Sequence, residues 1–175
     1  TMLVFERGAG GTTPARSSAH RELAPDLVAL ARRVGREKDS VVRQLIARGH
    51  INDVVHTELG RRIAGLMRST KGLDAGVASY GKLASGTFIP IRARIAMEIG
   101  RGRALLWEHA DIESMVPSIN YLNGRIMSIA GGTNEMQRNG IGERVLGLPR
   151  EPSFDTDRPF SEVVRNAQSW TGKTS

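Results

Sequence analysis

Apolar residues recur every three or four positions along most of this 175-residue chain, and that spacing is what most constrains its fold. It places apolar side chains on one face of a helix, whereas a strand needs strict alternation, which no segment displays. The pattern therefore predicts an all-α protein, with four or five helices in an antiparallel bundle. In the first such segment the apolar positions are Leu23, Leu27, Leu30 and Val34.

Capping residues and helix breakers predict where these helices begin, bend and end. Gly35 is expected to close the first helix, and either Asp39 or Ser40 can cap the second. Gly49 coincides with a shift in the apolar stripe and could mark a kink, and Pro90 is expected to bend the helix that contains it.

The last part of the chain predicts two more helices separated by paired glycines. One helix is expected to run into Gly131, and the other to cover residues 134–146 before Gly147 and Pro149 end it. We expect one helical domain over residues 1–152, followed by a short, irregular, polar tail over residues 153–175.

Composition narrows the classes of function. The net charge is +7, but no aromatic residues interleave with the arginines, so solvated helix faces are expected rather than a nucleic-acid site. The chain has no cysteine, and the spacing of His50 and His56 does not suit a metal site, so no metal is expected. No apolar run reaches the length of a membrane span, and we expect a cytoplasmic protein.

The segment at residues 76–82 partly matches the motif of a phosphate-binding loop. The spacing from Gly76 through Gly81 to Lys82 is right, but the next residue is Leu83 instead of the Ser or Thr that binds magnesium. No strand is predicted before it. A helix with small residues for close packing is the favoured interpretation.

The most informative segment is GGTNEMQRNGIGERVLGLPREP at residues 131–152. Thr133 or Asn134 can cap the helix, and Asn134 with Gln137 has the spacing of a capping box. The N–H groups at a helix start suit an anionic or carbonyl oxygen, and Gly131 and Gly132 allow a ligand to approach the backbone. From the residues alone, a ligand site and a plain turn between helices remain equally open.

This segment resembles the C-terminal signature of acyl-CoA dehydrogenases, and LVFERGAG at residues 3–10 resembles the start of the same domain. The resemblance covers about residues 2–152. It implies the C-terminal four-helix bundle of a FAD-dependent enzyme that desaturates an acyl-CoA thioester between its α and β carbons. The N-terminal helical domain and the middle β-barrel of that family are expected to be absent from this chain, and the fragment alone is expected to be inactive.

The resemblance also implies where the catalytic base lies. Many members carry a glutamate at the position of Gly131, which has no side chain here. In other members the glutamate comes from the first helix of the domain, directly before an arginine, and Glu6-Arg7 matches that arrangement. Glu6 is therefore the expected base, with Arg7 helping to hold the thioester ligand.

Further roles follow from the same resemblance. The backbone N–H of Gly131 would bind the thioester oxygen, Gly132 would line the substrate, and Thr133, Asn134 and Glu135 would contact FAD. The implied partners are an acyl-CoA substrate, an electron-transfer flavoprotein or similar acceptor, and other subunits of a homo- or hetero-oligomer, a dimer of dimers. The alternative is a non-catalytic partner subunit or assembly bundle of a heteromeric acyl-CoA dehydrogenase.

Overall fold

A computed structural model describes residues 26–69, 75–107 and 111–150, and within these ranges every regular element is a helix. The predicted all-α antiparallel bundle is confirmed. None of these helices is both long and apolar enough to cross a lipid bilayer. The elements are α1 (Leu27–Arg33), α2 (Ser40–Ser69), α3 (Ala75–Gly100), a short 3-10 helix (Arg101–Leu105), α4 (Ile112–Ile129) and α5 (Asn134–Arg144).

Helix α3 is the central element, and all the others pack against it. Helix α2 runs antiparallel to it. At one end of the pair, the Arg36 guanidinium before α2 donates to the carbonyl of Ile99, at 2.9 Å. Further along, the Asn52 amide donates to the carbonyl of Phe88, at 3.3 Å.

Helices α4 and α5 follow one another along α3, and both are antiparallel to it. The Ser118 hydroxyl of α4 donates to the carbonyl of Ala104, just beyond the C-terminal end of α3. The Ser128 hydroxyl, near the end of α4, donates to the carbonyl of Gly86, at 2.9 Å. Asn134, the first residue of α5, contacts the same carbonyl. The glycine pair at residues 131–132 therefore interrupts two helices that continue in one direction.

Local capping explains how α1 and α2 begin. The Asp26 carboxylate accepts from the backbone N–H groups of Val28 and Ala29, and α1 begins directly after it. Gly35 has φ +67°, which ends α1 as predicted. Asp39 caps α2, so the first of the two proposed capping residues is confirmed. Leu23, also expected in the first helix, lies outside the described residues.

Gly49 serves packing, and α2 continues through it without a break. A Cβ atom at Gly49 would lie 2.3 Å from Cδ1 of Leu27, so only glycine lets α1 approach α2 this closely. That approach forms the buried core where the first three helices meet. Its buried members are Leu27, Leu30, Ala31, Val42, Leu45, Ile95, Ala96 and Ile99.

Helix α5 ends two residues earlier than its apolar pattern predicted. The backbone N–H of Leu146 bonds back to the carbonyl of Ile141, and Gly147 follows with φ +66°. This geometry satisfies the last carbonyls of the helix and turns the chain away. Gly147 therefore ends α5 as expected, but the helix itself stops at Arg144.

Candidate functional site

The candidate site is the turn between α4 and α5. Its backbone needs glycine at two consecutive positions, because Gly131 has φ +68° and Gly132 has φ +96°. A residue with a Cβ atom in the left-handed region costs about 1–2 kcal/mol. A glutamate at the position of Gly131 would therefore be strained in this turn.

Thr133 caps α5, so one of the two proposed caps is confirmed. Its hydroxyl accepts from the N–H of Met136 at 3.3 Å. The proposed capping box between Asn134 and Gln137 is wrong, because both side chains have other partners. The Gln137 amide nitrogen turns back to the loop and donates to the carbonyls of Gly131 and Gly132, at 3.2 Å each.

The Asn134 side chain faces the interior of the bundle, where Pro90 has left a carbonyl without its helical partner. Proline has no N–H, so the carbonyl four residues earlier, that of Gly86, lacks its usual hydrogen bond. The Asn134 amide nitrogen donates to this carbonyl at 3.1 Å, and the Ser128 hydroxyl donates to it at 2.9 Å. The two side chains thus replace the bond that Pro90 cannot make within α3.

Gly86 is the contact point for this arrangement, and it has no room for a side chain. A Cβ atom there would lie 2.2 Å from Oδ1 of Asn134 and 2.9 Å from the carbonyl oxygen of Met127. Gly124 on α4 also faces this part of α3, where a Cβ atom would be in ordinary contact with Cα of Pro90, at 3.4 Å. Small residues on α3 and α4 therefore allow the loop to lie directly against the proline-containing part of α3.

Lys82 belongs to the same contact and not to a phosphate-binding loop. The segment that imitates such a loop lies within α3, as the favoured interpretation required. The Lys82 ammonium group donates to the carbonyl of Met127 in the last turn of α4. A cation there also complements the negative end of the helix dipole. It fixes the end of α4 from which the glycine turn departs.

Glu135 points outward and remains ionised. Its pKa is lowered by a hydrogen bond from its own backbone N–H, by the Thr133 hydroxyl and by the nearby charge of Arg138. Its side chain is 76% exposed. A proton-abstracting carboxylate in an enzyme usually needs a raised pKa, so Glu135 lacks the electrostatic setting of a catalytic base.

The structure brings five of the predicted site residues together in one turn, at residues 131–135. Glu6 and Arg7 lie outside the described residues. Four residues hold the turn in place, and the sequence had indicated only Pro90 and Gln137, both in other roles, although the spacing of four between Gly86 and Pro90 was a usable signal. These residues are Gly86, Pro90, Ser128 and Gln137. In the described part of the chain, no cluster of side chains could hold a metal ion.

Comparisons with known proteins indicate the family of this domain. The family model "acyl-CoA dehydrogenase, C-terminal domain" matches residues 3–146. The acyl-CoA dehydrogenase IpdE1 of Mycolicibacterium smegmatis is 30% identical over 149 residues, which are 85% of this chain and 36% of that protein. IpdE1 of Mycobacterium tuberculosis is 31% identical over 152 residues, covering 85% of this chain and 37% of that protein. The chain thus spans little more than a third of these curated relatives, and no solved structure matches it significantly.

Proposed function

We propose that this chain, which belongs to the acyl-CoA dehydrogenase family through its C-terminal domain, takes part in the FAD-dependent α,β-desaturation of an acyl-CoA thioester. The observation that carries the proposal is the glycine turn at residues 131–135. It stands at the start of α5, with the family signature around it. Its positive φ angles and its N-terminal position on a helix suit close approach of a carbonyl or phosphate oxygen.

Glu6 is the proposed base that removes the α proton of the thioester. Gly131 has no side chain, and Glu135 has a lowered pKa, so neither supplies that function in the turn. A carboxylate close to an acyl chain loses water, which raises its pKa and makes it a better base near neutral pH. Arg7 is proposed to hold the same ligand through its guanidinium group.

The turn is proposed to bind the thioester through Gly131 and Gly132 and FAD through the start of α5. The fit to FAD is uneven among the three residues expected to contact it. Thr133 and Glu135 lie at the helix start and are at least partly exposed, whereas the Asn134 amide donates to the Gly86 carbonyl inside the bundle. Asn134 would therefore contribute its backbone N–H. When bound, FAD would accept the hydride from the β carbon and pass electrons to an electron-transfer flavoprotein or a similar acceptor.

An oligomer is proposed because α4 carries its largest apolar residues on the outside. The face of α4 that packs against α3 is made mainly of small residues: Ser114, Ser118 and Gly124 are buried in it. The outer face of α4 is large and apolar and is more than half exposed in the described part of the chain. It consists of Ile112, Leu122, Ile126 and Ile129. Exposed apolar patches of this kind mark contact surfaces.

The test uses the protein expressed from its complete gene, purified with any chains that accompany it. We expect flavin absorbance in the purified sample and conversion of an acyl-CoA to its α,β-unsaturated product when an electron acceptor is present. A panel of straight-chain, branched and sterol-derived acyl-CoAs covers the substrates that this site could accept. Flavin-free protein with no product from any of them would refute the proposal.

The absence of a side chain at Gly131 favours one alternative, a non-catalytic subunit of a heteromeric acyl-CoA dehydrogenase. The same preparation distinguishes the two. A catalytic chain loses desaturation when Glu6 is changed to Gln. A non-catalytic partner keeps full desaturation after that change, because the base would then belong to the other subunit.

A further inference from the structure

We propose that Gln137 is a positioning residue of this site, because it sets the orientation of the two peptide groups that form the glycine turn. The inference rests on the proposed function, since it concerns how the turn would meet the thioester oxygen. Gln137 is only 1% exposed and therefore cannot touch a ligand at the surface. Its effect on the reaction would be exerted through Gly131 and Gly132.

The geometry follows from the two hydrogen bonds that Gln137 makes. Its amide nitrogen lies 3.2 Å from the carbonyl oxygen of Gly131 and 3.2 Å from that of Gly132. The peptide bonds of the described residues are all trans, and in a trans peptide the N–H points opposite to the C=O. The N–H groups of Gly132 and Thr133 share these two peptide planes. They are therefore directed away from Gln137, toward the outside of the turn.

Without this amide, the turn would have no fixed conformation of its own. Glycine adopts positive and negative φ with similar ease, so a Gly-Gly pair has many accessible conformations. Two carbonyl oxygens that point at a common spot also repel each other unless a donor lies between them. The Gln137 amide is that donor, and α5 holds it in place because Gln137 belongs to the second turn of the helix.

The other atom of the same amide supports this interpretation. Oε1 of Gln137 is buried and has no hydrogen-bond partner among the described residues. A buried, unpaired polar atom costs about 1–3 kcal/mol, a cost that an apolar side chain of similar shape would avoid. A glutamine here is thus explained by its donor group and by the two carbonyls that the group holds.

Donors fixed in advance are the arrangement that stabilises a developing negative charge on oxygen. The thioester oxygen gains such charge when the α proton leaves. The proposed donor to it is the N–H of Gly131, and the hydrogen bond from Gln137 to the Gly131 carbonyl fixes the backbone of that same residue, so the donor would meet the oxygen without having to reorganise. Gln137 would thus contribute to the proton-transfer step while remaining outside the contact shell of the substrate.

The test compares Gln137→Met and Gln137→Glu with a matched control, Asn139→Asp, in the protein expressed from its complete gene. Asn139→Asp makes the same amide-to-carboxylate change on the exposed side of α5. The readouts are kcat and KM for desaturation, the exchange of the substrate α proton with deuterated water, and the rate of proteolytic cleavage within residues 129–133.

For Gln137→Met we expect kcat and α-proton exchange to fall by about 10- to 100-fold, as for residues that orient a catalytic group. KM should change much less, and cleavage of the turn should become faster. Gln137→Glu should behave similarly at neutral pH but recover relative to the unaltered protein when both are measured at the same acidic pH. Burial beside two carbonyls raises the pKa of the introduced carboxyl group, and its protonated form can donate a hydrogen bond again. Asn139→Asp should leave all three readouts unchanged.

Unchanged kcat and α-proton exchange in Gln137→Met would overturn the inference, whether or not the turn becomes easier to cleave. So would a Gln137→Glu variant with no recovery at low pH, provided that its thermal unfolding shows it to be folded. If the unaltered protein neither desaturates nor exchanges any acyl-CoA, the proposed function fails instead. The cleavage assay would still report whether Gln137 orders the turn.

Discussion

At Gly86, the addition of a single methyl group should be enough to destabilise the fold. In Gly86→Ala, the new methyl group would lie 2.2 Å from Oδ1 of Asn134 and 2.9 Å from the backbone of Met127. We expect the free energy of unfolding to fall by about 1–3 kcal/mol, because the methyl group overpacks a close contact. The measurement is chemical denaturation followed by circular dichroism.

Gly60→Ala is the matched control for this substitution. Gly60 lies within α2, and a Cβ atom there would meet nothing within 4 Å. Alanine should therefore raise stability by about 1 kcal/mol through its higher helix propensity. If Gly86→Ala raised stability as Gly60→Ala does, the close approach of α3 to the turn would not exist in solution.

His56 should make stability depend on pH in the mildly acidic range. It stacks on Phe88 with ring centroids 5.2 Å apart, and burial lowers its pKa below the ordinary value of 6.5. As pH falls below 6.5, the unfolded chain takes up a proton that the folded protein resists, so stability decreases in that direction. Stability continues to fall until the pH drops below the pKa of His56 in the folded protein.

The substitution His56→Phe should remove this component, because it keeps the ring contact without a titrating group. The measurement is the difference in Tm between pH 7 and pH 5.5 for the two proteins. We expect the unaltered protein to lose more Tm over that interval than the variant. Equal losses of Tm would mean that the pKa of His56 is the same in the folded and the unfolded states.

At the scale of elements, the hydrogen bond that Pro90 leaves unmade within α3 and the start of α5 should be energetically coupled. Asn134 donates to the Gly86 carbonyl because Pro90 cannot. In Pro90→Ala, the new backbone N–H can take over that carbonyl. Asn134→Ala should therefore cost about 1–3 kcal/mol in the natural background and clearly less in the Pro90→Ala background.

A double-mutant cycle of these two substitutions, measured by denaturation, checks this expectation. Its control pairs Pro90→Ala with Asn139→Ala, a change on the exposed side of α5. That pair should be additive. Additivity of the Pro90 and Asn134 substitutions as well would mean that the hydrogen bond to Gly86 contributes nothing to stability.

Element boundaries that depend on neighbouring residues could be predicted from the sequence. Gly35, Asp39 and Thr133 act within one helical turn, and each is found in its predicted role. The apolar pattern indicates a possible kink at Gly49, but in the structure this glycine leaves room for the Leu27 side chain of another helix. That contact depends on how the helices pack, which local spacing does not encode.

The candidate site, too, could be predicted only in part from the sequence. The glycine turn and its cap were visible in the sequence, because their residues are contiguous. The partners of Asn134 and Gln137 were not, since the choice between a capping box and inward hydrogen bonds depends on the carbonyls that folding brings close. The role of Glu6 stays a prediction, because it lies outside the described residues.

For the whole molecule, the outer face of α4 should be an intermolecular surface. Ile126→Glu places a charge in the middle of this face, where the natural side chain is 57% exposed. We expect a smaller assembly by light scattering, because burying an unpaired charge at an interface is costly. Thermal unfolding at high dilution should change little.

Gln44→Glu is the control, since Gln44 is an exposed polar residue of another helix, α2. It should leave the size of the assembly unchanged. Equal assembly sizes for the unaltered protein and Ile126→Glu would mean that this face of α4 does not join subunits.

Glu6 is proposed to remove the α proton of an acyl-CoA held at the glycine turn. The most direct measurement is the rate of flavin reduction by acyl-CoA without oxygen, in the complete protein and in Glu6→Gln. Glu58→Gln on the exposed side of α2 is the control for losing one carboxylate. We predict a decrease of about 10²- to 10⁴-fold for Glu6→Gln and no change for Glu58→Gln. Equal rates in the unaltered protein and Glu6→Gln, with the flavin still bound, would contradict the claim.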